Sequence, residues 1–162
     1  MPKITIVVAV AKNGIIGANG GIPWRIRGEL PHFKRTTTAG DAICIFGHNT
    51  YSTLPIRPLP DRTNVVISQT FTPGVQPDGS IVFSTLDAAL EHFKDASEVF
   101  ICGGAYMYAA ALPIADKLVY TIVDLEPIGD TSFPKVNWDE WTKTYSEPCE
   151  GFEITKWERK QL

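Results

Sequence analysis

The chain has 162 residues, 44% hydrophobic and 20% charged, with a formal net charge of -3 and a sequence pI of about 5.6. That length fits one domain, residues 1–162, which can bury roughly 70% of its unfolded surface without staples. No run of Lys or Arg points to nucleic acid or a membrane surface, and Cys44, Cys102 and Cys149 form no C-x-x-C pair, which argues for a reducing compartment and against zinc.

Ile4 to Ala11 is a continuous β-branched run, as in a strand buried on both faces. It lacks a cleavage site and is too short to span a bilayer, so a cytoplasmic protein is expected. "AKNGIIGANGGIPW" follows, with Gly14, Gly17, Gly20 and Gly21 outside G-x-G-x-x-G spacing and Pro23 close behind. It reads as a loop of the length that often forms a lid, not as a dinucleotide fingerprint. In "GELPHFKR" a helix starting near Gly28 tolerates Pro31 in its first turn and puts Glu29 and Phe33 on one face. Glu29 has two readings. It is a solvated acid of a first helical turn, or it is an acid at the floor of an apolar cleft, where desolvation raises its pKa. In the second case it can accept two parallel N–H bonds from a flat, amidine-like edge, with Leu30, Phe33, Leu54 and Leu59 gripping the ring faces.

"AICIF" (42–46) is the next strand, and "FGHNTY" turns through glycine into a short helix. "RPLPDR" supplies Arg57 and Arg62 on a Pro-stiffened segment, suited to forking a substrate carboxylate. "NVVIS" (64–68) and "SIVF" (80–83) read as strands, and Leu86, Ala89, Leu90 and Phe93 follow helical spacing behind a Ser84–Thr85 cap. "EVFIC" (98–102) leads into "ICGGAYMY", a second glycine junction, and "KLVYTIVD" (117–124) is another strand. Residues 142–146 and 152–158 read as a final antiparallel pair around Pro148 and Gly151. Strands alternating with helices imply a mostly parallel sheet with right-handed crossovers and helices on both faces. Ligands of such sheets bind beyond the carboxyl ends of the strands. Two glycine-led helix starts there suggest a ligand with more than one phosphate.

The stretches "NGIIGANGGIPW", "ELPHFKR", "GHNTYSTL", "RPLPDRTNVVIS", "ICGGAYMY", "LVYT" and "GDTSFP" occur in an order and spacing that resemble dihydrofolate reductase over nearly the whole chain. The resemblance implies an α/β fold whose eight-stranded sheet has seven strands of one direction and one antiparallel. It implies hydride transfer from NADPH, or more weakly from NADH, to C6 of 7,8-dihydrofolate, with protonation at N5. A monomer that binds dihydrofolate and antifolates, with no nucleic acid and no membrane, is expected.

Position by position, Glu29 falls on the family's active-site carboxylate, which Thr121 would brace. Val7, Val8 and the Cys102 carbonyl would line the pterin pocket, beside Leu30, Phe33, Leu54, Leu59, Arg57 and Arg62. Ile22 and Trp24 belong to the closing loop, and Tyr108 would sit beside the nicotinamide with Ala9. Ile16, Gly17, Gly20, Gly21, Gly47, His48, Asn49, Thr50, Ser68 and Gln69 would contact the cofactor. So would Gly103, Gly104, Ala105, Tyr106 and Met107, with a cis peptide at Gly103–Gly104. Asp130 would hydrogen-bond the closed glycine loop near Gly17. His48, Gln69 and Tyr106 stand where the family usually places cations or a hydroxyl for the 2′-phosphate, which implies a weakened preference for NADPH over NADH. A related reductase acting on a pyrimidine ribityl substrate lacks the "PW…E…FK" constellation. A non-catalytic nucleotide-binding module is opposed by intact Glu29, Trp24, Tyr108 and Thr121.

Overall fold

The computed structural model of the chain describes residues 2–17, 29–38, 40–54 and 56–160, with the backbone alone for 29–31. Its first half runs β1 (Lys3–Ala11), β2 (Ile15–Gly17), α1 (Glu29–Thr37), β3 (Ile43–Gly47), α2 (His48–Ser52), β4 (Thr63–Ile67), β5 (Gly74–Val75) and β6 (Ile81–Phe83). The second half runs α3 (Leu86–His92), β7 (Glu98–Ile101), α4 (Ala105–Ala111), β8 (Lys117–Val123), β9 (Thr131–Ser132), β10 (Trp141–Cys149) and β11 (Phe152–Arg159). Pro31 lies in the first turn of α1, where its missing N–H has no intrahelical partner to lose.

The main sheet has the order β10-β11-β8-β1-β7-β3-β4-β6-β5. β1 pairs in parallel with β7 and β8, β3 with β4 and β7, and β4 with β6. β11 runs antiparallel to both β8 and β10. The expected eight strands, one of them antiparallel, are therefore present. The sheet has a ninth, however: β5, which pairs antiparallel with β6 at the far edge. A two-residue strand has no periodicity to read, which is why the sequence gives no sign of it.

The central strands are buried on both faces, so their sequences are continuous apolar runs. One face packs Ile4, Ile6, Val8, Ile43 and Ile101 against Ala89 and Leu90 of α3 and Met107 and Ala111 of α4. The other packs Val7, Cys44, Phe46, Phe100 and Cys102 against Tyr51 of α2, with Phe33 of α1 alongside. Each fully buried aliphatic side chain contributes about 1.5–3 kcal/mol relative to exposure. The cap expected at the start of α3 is there: the Thr85 hydroxyl accepts from the Ala88 amide at 3.0 Å. Among the described residues no helix is long and apolar enough to cross a membrane.

Candidate active site

The carboxyl ends of β3 and β7 lie side by side. The Cys102 amide donates to the Ile45 carbonyl at 2.9 Å, and one step further the Gly47 amide donates to the Gly103 carbonyl at 2.7 Å. The two glycine junctions of the sequence thus meet at one point, with α2 leaving from one and α4 from the other. The Gly103–Gly104 peptide is cis, as the resemblance implied. Close approach explains the glycines. A Cβ on Gly104 would lie 2.7 Å from Thr50 Oγ1, and one on Gly47 would lie 3.3 Å from Met107 Cγ. Gly103 has φ +127, and a Cβ there would meet Thr50 Cγ2 at 3.2 Å. Bare backbone at this junction, the glycine cradle, is what lets the Thr50 and Met107 side chains pack directly against it.

β1 forms the wall next to the cradle. Val7 and Val8 are buried and Ala9 is half-buried. The Tyr108 hydroxyl donates to the Val7 carbonyl at 2.9 Å, fixing its ring beside β1. Thr121 is buried on β8, paired with Ala9 on one side and with Ile154 of β11 on the other. Glu29 is the first residue of α1, while its side chain and that of Leu30 lie outside the described atoms. Phe33, Leu54 and Leu59 pack together against the cluster that holds Val7 and Cys102, so the expected apolar floor is assembled. The buried Cys44 and Cys102 thiols lie in this floor, facing the Thr37 carbonyl at 4.0 Å and the Phe100 carbonyl at 3.7 Å, and burial pushes the Cys102 thiol well up.

The two candidate arginines differ. The Arg62 Nε donates to the Pro60 carbonyl at 2.9 Å and its Nη1 to Thr37 Oγ1 at 2.9 Å. Its guanidinium lies 6.0 Å over the Phe33 ring. Arg62 is thus fixed at the end of the apolar floor. Arg57 is exposed, and its Nη1 donates to the Ser52 carbonyl at 2.7 Å, towards α2.

Around the expected 2′-phosphate position, the His48 ring lies against Phe71 at 4.2 Å between centroids. Tyr106 is 83% exposed, Asn49 and Gln69 are exposed and Thr50 is half-buried. Ser68 is buried and turned inward: its Oγ accepts from the amides of Thr70 and Phe71, each at 3.2 Å. Its hydroxyl therefore shapes the turn that sets Phe71 against the His48 ring. Ala105 opens α4 at the cradle and Met107 is buried beneath it.

At the start of the glycine loop, Ile16 and Gly17 lie in β2, which pairs with β9 in a separate two-stranded ribbon. The Asp130 backbone amide donates to the Gly17 carbonyl at 3.1 Å. Asp130 thus bonds the start of the glycine loop through its amide. Gly20, Gly21, Ile22 and Trp24 lie outside the described residues.

Three supporting residues escaped the sequence reading. Asn64 is buried, accepts from the Leu59 amide at 2.9 Å and donates to the carbonyls of Leu59 and Arg62 at 3.0 Å each. It staples the loop that carries both Leu59 and Arg62. Its signal was a lone amide inside the apolar run "NVVI". Thr37, fully buried, donates to the Phe33 carbonyl at 2.8 Å and accepts from Arg62. Tyr51 donates to Asp78 at 2.7 Å, and burial with that bond pushes its hydroxyl up to about 12.

Among the described residues no group of His, Cys, Asp and Glu is placed to hold a metal. The site instead has an apolar floor ended by a fixed guanidinium at one side and a glycine-lined cradle at the other. Such a cleft suits a flat ring with a carboxylate tail next to a phosphate-bearing cofactor.

The family described as dihydrofolate reductase matches residues 3–158. The chain is 40% identical over 140 residues to a dihydrofolate reductase type 3 of Salmonella typhimurium, covering 85% of this chain and 83% of that one. It is 39% identical over 145 residues to a dihydrofolate reductase of Neisseria gonorrhoeae, covering 87% and 85%. A solved dihydrofolate reductase of Enterococcus faecalis, complexed with NADP(H) and RAB-propyl, superposes with a TM-score of 0.87 at 26% identity, covering 98% of this chain and 97% of that one. Taken with the cradle and the cleft, these matches show that the chain belongs to the dihydrofolate reductase family.

Proposed function

We propose that the cleft at the carboxyl ends of β1, β3 and β7 is the active site of this enzyme, with Glu29 as its acid. The chain is an NADPH-dependent oxidoreductase that reduces 7,8-dihydrofolate to 5,6,7,8-tetrahydrofolate. The observation that supports the assignment of the site is the meeting of the two glycine junctions, where the Gly47 amide donates to the Gly103 carbonyl at the starts of α2 and α4. A dinucleotide pyrophosphate fits there, against Thr50, Ala105 and the first amides of α4. When bound, NADPH supplies the hydride that reaches C6 of the pterin.

Glu29 opens α1 next to the apolar floor. From there its carboxylate takes two charge-assisted bonds from the pterin amino group and ring nitrogen. Its charge favours the substrate protonated at N5, and water delivers that proton. Thr121 holds the carboxylate in place. Val7, Val8 and the Cys102 carbonyl line the ring pocket, and Leu30, Phe33, Leu54 and Leu59 grip its faces. Arg62 forks the tail carboxylate. Ala9 and Tyr108 position the nicotinamide, and by the family resemblance Ile22 and Trp24, with Gly20 and Gly21, would serve the same site by excluding water from the hydride path. We further infer a cytoplasmic monomer that antifolates inhibit. The test is to follow absorbance of the reduced nicotinamide when dihydrofolate is added with NADPH, and separately with NADH. Oxidation in the NADPH arm is expected; none in either would overturn the assignment.

A further inference from the structure

Arg62 ends the apolar floor, and part of its guanidinium is already committed in the free protein. Nε donates to the Pro60 carbonyl and Nη1 to Thr37 Oγ1, each at 2.9 Å, and Cζ lies 6.0 Å from the centre of the Phe33 ring. A guanidinium has five N–H donors and no acceptor. With Nε and one N–H of Nη1 in use, three remain, and among the described residues no acceptor meets Nη2. The edge that carries Nε is closed, so a carboxylate meets Nη1 and Nη2.

Two neighbours decide where those atoms stand. Asn64, buried in β4, fixes the chain from which Arg62 springs, through the Leu59 amide and the carbonyls of Leu59 and Arg62. The turn it holds includes Asp61 at φ +63, an uncommon value for a residue other than glycine. Asn64 does not bond the guanidinium itself. Thr37 does, and from a different element. It is fully buried at the end of α1. Its one hydroxyl hydrogen goes to the Phe33 carbonyl at 2.8 Å. Only lone pairs are then left on Oγ1, and a lone pair is what Nη1 needs. The direction of the hydroxyl is thus set by α1 itself, through a bond to the residue four earlier.

The same helix begins with Glu29 and carries Phe33 four residues on. Thr37 comes four residues later again, so the three share one face of α1. At 1.5 Å per residue, Glu29 and Thr37 stand about 12 Å apart along the axis.

We propose that Thr37 is a positioning residue for the tail of the substrate: its hydroxyl aims the Nη1–Nη2 edge of Arg62 at the tail carboxylate and ties that edge to the helix that begins with Glu29. The inference rests on the reading of Arg62 given above. It adds that one rigid helix sets the spacing between the acid that takes the ring and the arginine that takes the tail.

The experiment uses the full chain at saturating NADPH. Thr37→Val keeps the shape and removes the hydroxyl, Thr37→Ser keeps the hydroxyl, and Thr37→Ala replaces the valine variant if that one fails to fold. Each is made in the parent and in Arg62→Leu. Steady-state constants are measured for dihydrofolate and for a dihydropterin that lacks the benzoylglutamate tail. Thr37→Val should raise KM for dihydrofolate about 3- to 10-fold, with kcat and NADPH affinity unchanged. Thr37→Ser should restore the parent KM. The constants for the tailless substrate should not move, and Thr37→Val should add nothing to Arg62→Leu. A general defect of folding would reach both substrates instead. An unchanged KM for dihydrofolate in Thr37→Val, an equal effect on the tailless substrate, or the same rise in the Arg62→Leu background overturns the proposal. If Arg62→Leu itself leaves that KM unchanged, the reading of Arg62 fails, and this inference with it.

Discussion

Replacing Arg62 by leucine separates a substrate-binding arginine from a structural one. In the free protein the substitution removes the bonds to the Pro60 carbonyl and to Thr37 Oγ1, each 2.9 Å, and the contact with the Phe33 ring. Thr37 is not orphaned, because its hydroxyl still donates to the Phe33 carbonyl at 2.8 Å. Pro60 is exposed, so water can replace the guanidinium at its carbonyl. The stability loss should therefore stay near or below about 1 kcal/mol. On the substrate side, losing a charge-assisted fork costs about 1.5–3 kcal/mol. That corresponds to a Michaelis constant for dihydrofolate raised about 10- to 150-fold. Steady-state kinetics, with NADPH affinity measured alongside by fluorescence quenching, reads both quantities. Arg62→Lys should fall between, since it keeps a charge but loses the planar fork. Arg57→Leu should have little effect, because Arg57 is exposed and bonded to the Ser52 carbonyl. A Michaelis constant within about twofold of the parent for Arg62→Leu, with a large rise for Arg57→Leu, would refute the reasoning.

Gly104→Ala places a Cβ 2.7 Å from Thr50 Oγ1. It should destabilise the protein by about 1–3 kcal/mol and weaken NADPH binding; Thr50→Ala in the same chain should recover much of the stability in urea unfolding, and no recovery would place the strain elsewhere. NADPH should remain preferred over NADH by a reduced margin, because His48, Gln69 and Tyr106 present no fixed cation. Dissociation constants of both cofactors read that margin; a large preference for NADPH would require a cation elsewhere. Because the charged form of His32 is disfavoured in the folded protein, the unfolded chain binds more protons below the ordinary value of 6.5. Stability should fall as pH drops through that range, and His32→Asn should flatten the fall; an unchanged slope would remove His32 from the pH response.

Much of this architecture could be read before any coordinates. The β-branched runs of the central strands carry their own signal, because both faces are buried. The two glycine junctions were visible as motifs, but their reason was not: Gly104 is required by Thr50, which lies on another element. The β2–β9 ribbon is set by backbone approach. A Cβ on Gly129 would lie 2.4 Å from Ile15 Cγ2 and 2.6 Å from the Gly17 carbonyl, and no periodicity announces such a contact. Asp130 was expected to bond the glycine loop near Gly17, and its amide does so at the Gly17 carbonyl. Ser68, expected at the cofactor, has its Oγ accepting from the Thr70 and Phe71 amides of its own turn. His32 passed as part of a motif, since only the packing of α1 on the sheet buries its ring.

The central claim is that Glu29 supplies the charge on which reduction depends. Single-turnover hydride transfer from NADPH to dihydrofolate, measured from about pH 5 to about pH 9 in the parent and in Glu29→Gln, tests it most directly. The parent rate should fall as pH rises, because the substrate must be protonated. The amide variant, folded to the same extent by circular dichroism, should be slow near neutrality and regain rate only toward the acid end. A variant that matches the parent at pH 7 would reduce Glu29 to a solvated acid at the start of a helix.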